Sequence, residues 1–564
     1  MPTDPRQLHQ QTAAALQRGD LAQAATLLEK APKNLNFDFL RGTLALLQRE
    51  WDKASEIFSI LWQQHPEWHE AAYSLIQADI ERGRLADAAA MAQSLLAQVP
   101  SPIPALLLAR AAEAMGDQAV TNKALAEALQ RGARDDTIIS NLWLGRRKLW
   151  DWAEPLPVFT ENDLTPAAAT VLSDDPAFQK RVAERWCRQH FPQVLPALTR
   201  KPGDRIKIGY LSSDIHHHAT AYLIAELFEL HDRARFEVSC FSASHDDGSA
   251  IRRRIVDACK NFVDLSTMPP ADWATVIRGA ELDIAIDLKG HTRHNFLPVL
   301  AQRVAPVQVH FLGHPGTIGA PFIDYLVGDP VVTPASSEAH YSEKLIRLPH
   351  CYQINDRQRK LAPAQPRSAY GLPDDKVVLA CFNQSYKLTP EVFAIWAEIL
   401  LARPQSILWL YCNVPGAEDN LRAHLRQQGL SDERLVIAGP LPNDQHLARW
   451  QAADIALDTY AYTSHTTGSD ALWAGVPLVT RIGQTYASRV AASLLTSTSL
   501  PDLITDNDDD YKKLILKLID DAPRRKALRE HLIASRTTAP LWNTEQWVRD
   551  WEAELGKIIS DTRS

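Results

Sequence analysis

Residues 455–474 have the sequence IALDTYAYTSHTTGSDALWA, in which a short apolar run is followed by a polar turn and then by helix-forming residues. The run Ile455–Leu457 predicts a buried strand, and Ala471–Ala474 predict a helix. Because the first N–H groups of a helix lack partners and carry partial positive charge, the intervening turn His465–Asp470 can hold a diphosphate. An ordinary helix cap made by a Ser or Thr side chain has the same pattern, so this turn alone does not identify a site.

A second polar loop follows another apolar run. The run Val377–Phe382 predicts a buried strand, and Asn383–Lys387 come directly after it. Open parallel sheets bind their ligands at the carboxyl ends of their strands. We therefore expect Lys387 and the HTTG turn, His465–Gly468, to face one crevice. A lysine that only extends along a strand end toward solvent is the structural alternative.

From residue 205 onward, short β-branched or apolar runs alternate with helical segments such as Ala221–Leu230 and Ile251–Ala258. This is the pattern of parallel sheets built from βαβ units, and it restarts after a linker at residues 363–371. The sequence therefore predicts two doubly wound α/β domains with a cleft between them. The predicted strands are Ile206–Leu211, Phe236–Phe241, Ile284–Leu288, Val307–Leu312, Tyr325–Gly328, Val377–Phe382, Ser406–Tyr411, Leu435–Ala438, Ile455–Leu457 and Pro477–Thr480.

The first part of the chain is repetitive. Pro32, Pro66 and Pro100 recur every 34 residues, and each closes a helical run. The runs are Leu21–Ala31, Asp52–His65 and Leu85–Val99, with small residues at Ala24, Ala54 and Ala88 and turns at Gly19, Gly83 and Gly116. This period resembles tetratricopeptide repeats, whose helix pairs bury their apolar faces by stacking. We expect a short array whose concave face suits an extended peptide, or else a structural collar for the following domains.

Composition excludes several classes of protein. The 564-residue chain is 45% hydrophobic with a formal net charge of −8, so we expect packed cores and no field that attracts nucleic acid. Its six cysteines lie far apart with no CxxC pair, which argues against a disulfide framework or a zinc ribbon. The polar residues Met1–Gln10 lack a signal-peptide core, and no stretch is apolar enough to span a membrane. We expect a cytoplasmic protein that is neither secreted nor membrane-spanning.

Six ordered motifs in residues 205–555, together with the repeats in front of them, resemble the O-linked N-acetylglucosamine transferases of glycosyltransferase family 41. The motifs are Gly209–Asp214 with His218, Gly313–Thr317, Tyr341–Leu345, Phe382–Lys387, His465–Gly468 and Ala487–Ser493. The resemblance implies an α/β GT-B fold of two Rossmann-like domains behind an all-α tetratricopeptide-repeat superhelix. From this resemblance, together with the repeat period and the change of pattern at residue 205, we expect the repeats at residues 1–135, a helical linker at 136–204, and the catalytic lobes at 205–370 and 371–564.

The resemblance also implies a reaction. UDP-N-acetylglucosamine (UDP-GlcNAc) would be the donor, Ser and Thr hydroxyls of proteins would be the acceptors, and the anomeric carbon would be inverted. Lys387, with the hydroxyls and N–H groups of Thr466 and Thr467, would stabilise the negative charge that builds on the departing diphosphate. His218 would either accept the proton of the acceptor hydroxyl or orient the sugar while a donor phosphate oxygen takes that proton.

Further donor-binding positions follow by matched position. The resemblance puts Gln384, Tyr386, Pro440 and Leu441 at the uracil and ribose, and it puts His446 and Arg449 in front of the nucleotide. Asp470 would lie at a ribose hydroxyl and His465 at the diphosphate and sugar. The turn 313–317, with Gly313 and Pro315, would lie under the sugar. The alternative for this turn is that its glycine and proline are required only by the geometry of the loop and do not contact a sugar.

We expect no metal or other cofactor. The acidic residues Asp506 and Asp508–Asp510 precede a predicted helix, Tyr511–Asp520, and complement its dipole in a solvated turn. The run His216–His218 cannot easily direct three consecutive imidazoles at one ion. With a lysine and a helix N-terminus at the leaving group, the resemblance implies metal-independent chemistry.

The chain departs from the pattern in places. Animal relatives have a lysine where this chain has Asn443, their array is longer, and the insert between their lobes is absent here, where little separates Pro349 from Gly371. These differences put one nucleotide contact and the choice of acceptor in question. Two alternatives stay open: a protein O-fucosyltransferase that uses GDP-fucose, and a catalytically idle repeat scaffold. Gln384 and the HTTG turn favour the N-acetylglucosamine branch over the first, and intact His218 and Lys387 argue against the second.

Overall fold

The computed structural model describes residues 4–152, 159–193, 195–199 and 203–561. These residues divide into two compact units. The first consists of Met1–Leu149 with Val414–Gly416, and the second of Trp150–Asn413 with Ala417–Ser564. Parts of the predicted linker 136–204, namely 153–158, 194 and 200–202, lie outside the described residues.

The first unit is helical. The first helices of successive repeats begin at Leu35, His69 and Ile103, which are 34 residues apart, as the proline spacing predicted. The described helices of this unit are α1 (Pro5–Gln17), α2 (Leu21–Glu29), α3 (Leu35–Leu47), α4 (Trp51–Gln64), α5 (His69–Glu81), α6 (Leu85–Gln98), α7 (Ile103–Met115), α8 (Gln118–Gln130) and α9 (Asp136–Lys148).

Small residues allow these helices to pack closely. Ala24, Ala54 and Ala88 are all fully buried or nearly so. A Cβ atom on Gly42 of α3 would lie 2.6 Å from the Phe58 ring of α4, so only glycine fits that contact without movement. Each helix therefore buries its apolar face against a neighbour, which is how a repeat array is stabilised.

The second unit begins with two helices, α10 (Pro166–Leu172) and α11 (Pro176–His190), that contact both catalytic lobes. Asp174, between them, accepts hydrogen bonds from the hydroxyls of Thr485 and Ser488 in the second lobe. The Cys187 thiol donates to the Ile318 carbonyl oxygen in the first lobe. This segment thus connects the two lobes.

The first lobe contains a fully parallel sheet in the order β3-β2-β1-β4-β5-β6-β7. Its strands are β1 (Ile206–Ser212), β2 (Phe236–Ser242), β3 (Asn261–Asp264), β4 (Ile284–Asp287), β5 (Val307–His310), β6 (Tyr325–Gly328) and β7 (Lys344–Arg347). Its helices are α12 (Ala219–Leu230), α13 (Ala250–Ala258), α14 (Trp273–Gly279) and α15 (Leu297–Leu300).

The second lobe contains another parallel sheet, in the order β10-β9-β8-β11-β12-β13. Its strands are β8 (Val377–Cys381), β9 (Ser406–Tyr411), β10 (Leu435–Ala438), β11 (Ile455–Leu457), β12 (Leu478–Arg481) and β13 (Ile504–Thr505). Its helices are α16 (Pro390–Ala402), α17 (Ala417–Gln427), α18 (Asn443–Arg449), α19 (Thr466–Trp473), α20 (Tyr486–Ser497), α21 (Asp508–Asp520) and α22 (Ala522–Ser535).

The last helix, α23 (Thr544–Asp561), returns to the first lobe. Its Glu552 carboxylate lies 2.9 Å from the Nδ1 atom of His231, and both side chains are buried. The Trp551 indole N–H donates to the Tyr210 hydroxyl, which is on β1. Sequence order thus reverses at β1/β4 in one sheet and at β8/β11 in the other, which is where such sheets form ligand crevices.

Several predicted boundaries differ from the structure by one or two residues, and three larger differences have a physical reason. Strand β5 ends at His310, short of the predicted Leu312, because Leu312 has a φ of +73°, which an extended strand cannot contain. Helix α19 begins at Thr466, so the HTTG turn forms its first turn and lies before the predicted Ala471–Ala474 segment. Helix α21 begins at Asp508, which puts three of the predicted loop acids inside its first turn, where they complement its dipole.

All six cysteines are free and buried. No helix in the described part of the chain has the length and apolar character that crossing a bilayer needs.

Candidate active site

Lys387 lies where the loops after β8 and β11 meet. It ends a short 3-10 turn, Ser385–Lys387, and its side chain is buried. The ammonium donates to the Thr463 carbonyl oxygen at 2.9 Å and lies 4.1 Å from the centre of the Tyr462 ring. The two loops that we predicted to face one crevice are therefore in direct contact.

The surroundings of Lys387 destabilise the charged form of its side chain. Burial lowers the pKa of Lys387 to about 8, although the nearby Asp458 carboxylate acts in the opposite direction. A buried ammonium that forms a hydrogen bond to one neutral carbonyl gains stability from any anion that reaches it. The position is thus suited to an anionic ligand such as a diphosphate.

His465 lies next to this lysine and immediately before α19. Its ring stacks on Tyr462 with 4.7 Å between ring centres, and its Nε2 atom lies 3.2 Å from the Ala487 carbonyl oxygen. Burial, and then the charge of Lys387, hold the pKa of His465 well below its usual value. The ring is therefore neutral, donates from Nε2 to Ala487, and retains Nδ1 as a hydrogen-bond acceptor.

The first turn of α19 offers N–H donors beside His465. The N–H groups of Gly468 and Ser469 donate to the His465 carbonyl oxygen. Among the described residues, those of Thr466 and Thr467 have no protein acceptor, as expected for the first positions of a helix. These two N–H groups and their threonine hydroxyls can bind anionic oxygens.

A buried carboxylate that we did not predict fixes this loop. Asp458, directly after β11, accepts hydrogen bonds from the Ser464 N–H at 2.6 Å, the Ser464 hydroxyl at 2.7 Å and the Thr480 hydroxyl at 2.6 Å. The amide of Asn383 also lies 2.9 Å from the Ser464 hydroxyl. An acidic residue immediately beyond a buried strand was the available sequence signal.

Asp470 and His446 lie close together on facing helices. The Asp470 carboxylate pairs with Arg359 at 2.7 Å, and its other oxygen lies 3.8 Å from the Nε2 atom of His446. Arg359 was not predicted. Burial, with a contribution from Arg449, lowers the pKa of His446 to about 3, so this ring is neutral.

Arg449 is almost fully buried, at 1% exposure. Its guanidinium donates to the Gly439 carbonyl oxygen and to Nδ1 of His446, and it lies 4.4 Å from the centre of the Phe382 ring. Arg449 is therefore placed behind His446 and orients it. This arrangement differs from the predicted one, in which both side chains face the nucleotide.

The remaining predicted donor contacts of this lobe lie on loops at strand ends. Gln384 follows β8 and is exposed, and Tyr386 lies 6.5 Å from Tyr462 between ring centres. Pro440 and Leu441 follow β10 and are exposed. Their positions at the carboxyl edge of the sheet are compatible with contact to a bound nucleotide.

In the first lobe, His218 caps helix α12. Its Nδ1 atom accepts a hydrogen bond from the Thr220 N–H at 3.2 Å and lies 3.7 Å from the Asp214 carboxylate. Burial lowers the pKa of His218 although its side chain is 42% exposed. Tyr222, one turn further along α12, has its pKa raised by burial and by the charges of Asp247 and of Asp444 in the second lobe. The charge of Asp444 at the start of α18 thus acts on α12 from the second lobe.

The turn 313–317 follows β5 and is tightly packed. A Cβ atom on Gly313 would lie 2.3 Å from the Leu288 carbonyl oxygen, so only glycine is possible there, and Pro315 is buried. The His310 ring fixes the turn: Nε2 donates to the His314 carbonyl oxygen at 2.8 Å, and Nδ1 lies 3.0 Å from the Asp287 carboxylate. Loop geometry thus accounts for Gly313 without any contact to a sugar.

Comparison with known proteins identifies the family of this chain. The model of glycosyl transferase family 41 matches residues 188–365 and 362–551. The chain belongs to glycosyl transferase family 41. This family is the one that the six motifs indicated.

Family 41 relatives include a probable UDP-N-acetylglucosamine–peptide N-acetylglucosaminyltransferase, SEC, of Arabidopsis thaliana. It is 38% identical over 374 residues, which are 65% of this chain and 38% of the relative. The corresponding Caenorhabditis elegans enzyme is 28% identical over 469 residues, covering 63% of this chain and 41% of that protein. The chain thus spans about two fifths of the length of these relatives.

A solved structure of a Thermobaculum terrenum O-GlcNAc transferase mutant matches this family 41 member over most of both chains. The TM-score is 0.71 at 26% sequence identity, and the match covers 94% of this chain and 98% of that one. The predicted GT-B fold behind a helical N-terminal region is confirmed.

Proposed function

We propose that this protein transfers N-acetylglucosamine from UDP-GlcNAc to Ser and Thr hydroxyls of proteins, with inversion at the anomeric carbon. The names of the family 41 relatives support this donor and acceptor class. The observation that carries the proposal is the buried Lys387 ammonium beside the unpartnered N–H groups at the start of α19.

Lys387 and the start of α19 would act on the leaving group. As the bond between the sugar and the diphosphate lengthens, positive charge develops on the sugar and negative charge on the diphosphate. A fixed ammonium and fixed N–H donors at that diphosphate stabilise the transition state more than the ground state. Removal of one such group typically costs about 10²- to 10³-fold in kcat.

The same groups support a reaction that needs no metal ion. The ammonium of Lys387 and the dipole of α19 supply positive charge at the diphosphate, which is the role of Mg²⁺ in many nucleotide-sugar enzymes. His465, neutral beside Lys387, would offer Nδ1 to a hydroxyl of the donor. Asp470, held by Arg359, would accept from a ribose hydroxyl with its second oxygen.

The first unit would bind protein acceptors. Helices α3 and α5 border a groove of about 670 Å³, lined among others by Phe39, Leu46, Leu47 and Gln77. Apolar and amide side chains in one groove suit an extended peptide, which needs both side-chain burial and main-chain hydrogen bonds.

The test is a donor assay on the purified protein, with UDP-GlcNAc, UDP-glucose and GDP-fucose, each with and without EDTA. We expect turnover of UDP-GlcNAc that EDTA does not reduce. Lys387→Ala should lower kcat by about 10² or more. Lys376→Ala, at the other end of β8, is the matched control and should retain activity. Preference for GDP-fucose, strict dependence on a divalent ion, or full activity of the Lys387 variant would refute the proposal.

A further inference from the structure

A buried lysine, Lys289, lies two residues beyond β4 and beside the loop that contains His218. Its side chain is only 5% exposed. Its N–H donates to the Asp287 carboxylate at 3.0 Å, and its ammonium donates to the Asp214 carboxylate at 2.7 Å. Because both its backbone and its side chain are hydrogen-bonded, the position of the charge is fixed.

Asp214 lies between two basic groups, and it pairs with only one of them. Its Oδ2 atom is 2.7 Å from the Lys289 ammonium but 3.7 Å from Nδ1 of His218. The longer distance exceeds that of a hydrogen bond. Lys289 thus neutralises a carboxylate that could otherwise form an Asp–His pair with His218.

The cap of α12 shows where the His218 proton is. Nδ1 accepts a hydrogen bond from the Thr220 N–H, and a nitrogen that accepts a hydrogen bond carries no proton. The neutral ring therefore has its proton on Nε2. Burial lowers the pKa of His218, Asp214 opposes this, and Lys289 adds to the lowering. The other charged or titratable neighbours are His216 and His217, which also lower it, with Asp247 and Tyr222 bound to His217.

We propose that Lys289 is a positioning residue for His218: by neutralising Asp214, it keeps the imidazole in the form with the proton on Nε2. In this form Nε2 donates a hydrogen bond to an oxygen of the bound sugar or acceptor and does not abstract a proton. The acceptor proton is then left to a phosphate oxygen of the donor, one of the two acceptors that the sequence left open. This last consequence rests on the proposed function, whereas the state of His218 does not.

Removing Lys289 should reverse this arrangement. In Lys289→Met, the free Asp214 carboxylate would attract a proton to Nδ1 of His218, as in the Asp–His pairs of hydrolases. An opposite charge at this distance raises the pKa of a histidine by about one to three units. The proton would move from Nε2 to Nδ1, and the cap on Thr220 would be lost.

The experiment is an NMR titration of the full-length protein with ¹⁵N-labelled imidazoles and without substrate. The His218 signal is assigned by its loss in His218→Gln. We expect the Nε2–H form in the wild type, and in Lys289→Met a raised pKa with the Nδ1–H form. Lys207→Met, which breaks an ion pair with Glu281 at the amino end of β1, is the matched control and should leave the His218 signal unchanged.

Two further variants distinguish electrostatic coupling from loss of structure. Asp214→Asn/Lys289→Met should return the pKa of His218 to near its wild-type value, because the carboxylate is absent as well. Asp214→Asn alone should lower this pKa, which keeps the test decisive even if Lys289→Met does not fold. An unchanged His218 titration in the single variants, or an equal shift in the double variant, would overturn the inference.

Activity provides a separate readout. If GlcNAc is transferred, kcat/KM of Lys289→Met should fall relative to the wild type above the raised His218 pKa, because the neutral ring then has its proton on Nδ1 and Nε2 cannot donate. A shifted NMR titration without any transfer would refute the proposed function and leave the role of Lys289 intact. Transfer of GlcNAc with an unshifted His218 titration would support the proposed function and overturn the role of Lys289.

Discussion

At the scale of single residues, the charge of Lys387 is the quantity on which donor binding depends. Burial lowers its pKa to about 8, so the free protein loses this charge within an accessible pH range. A bound diphosphate restores the charge and must take up a proton to do so above that pH. Donor affinity should therefore report directly on the protonation of this one side chain.

We predict that the affinity for UDP weakens above pH 8, approaching tenfold per pH unit. The measurement is calorimetric titration with UDP between pH 7 and pH 10. Lys387→Arg keeps its charge at every pH in this range, so it should bind tightly and retain only the pH dependence that comes from the uracil ring. Lys387→Met should bind weakly throughout and retain only the dependence that comes from the uracil ring. Equal slopes in the wild type and in Lys387→Met would contradict the assignment.

Single residues also show what the sequence could not provide. Lys387 and His465 were predictable because both follow short apolar runs that form strands. Tyr462, Arg359 and Lys289 were not, because their importance lies in contacts across loops whose path no local pattern determines. Tyr462 contacts Lys387 and His465 at once, although it is part of an irregular loop.

At the scale of elements, every central strand was predicted, whereas only one of the four edge strands, β10, was. Strands β6, β9, β10 and β11 have the predicted bounds because each is a short, mainly apolar run, and β10 is continuously apolar although it lies at an edge. Three strands were missed, and all lie at sheet edges: β3, β7 and β13. Edge strands are covered on fewer sides, so Asn261–Asp264 and Lys344–Arg347 mix charged and apolar residues without a continuous apolar run.

Helix α20 provides an element-scale prediction. Its first turn is held by Asp174, which accepts from the N–H and hydroxyl of Thr485 and from the Ser488 hydroxyl, and its Ala487 carbonyl oxygen holds His465. We predict that Asp174→Ala lowers the free energy of unfolding by about 2 kcal/mol and also weakens UDP binding several-fold. Urea denaturation followed by tryptophan fluorescence, together with calorimetry, measures both quantities.

The neighbouring acid is the control for that prediction. Asp175 caps only its own helix, where it accepts from the N–H groups of Ala177 and Phe178. Asp175→Ala should therefore cost about 1 kcal/mol and leave UDP binding unchanged. If both variants weaken UDP binding equally, α20 does not transmit the effect of Asp174 to the donor site.

At the scale of the whole molecule, the proposed activity divides between two compact units. The second contains the residues assigned to the donor, and the first contains the groove assigned to the acceptor. A change in the groove should therefore affect transfer to proteins and leave hydrolysis of the donor unchanged. Leu47 is well placed for such a change because it lines the groove and is 47% exposed, so its replacement does not disturb a core.

We predict that Leu47→Glu lowers kcat/KM for protein acceptors about 5- to 10-fold, because a groove anchor typically contributes 1 kcal/mol or more. Hydrolysis of UDP-GlcNAc should stay at the wild-type rate, since no donor-binding residue is altered. Leu401→Glu, an equally exposed leucine on α16 at 50%, is the matched control and should leave both rates unchanged. The two rates are measured on one preparation, with a radiolabelled donor and with acceptor proteins and short acceptor peptides in parallel. Because a short peptide does not reach beyond the catalytic unit, its rate should be unaffected, and an equal loss for peptides, proteins and hydrolysis would show that the array only supports the catalytic fold.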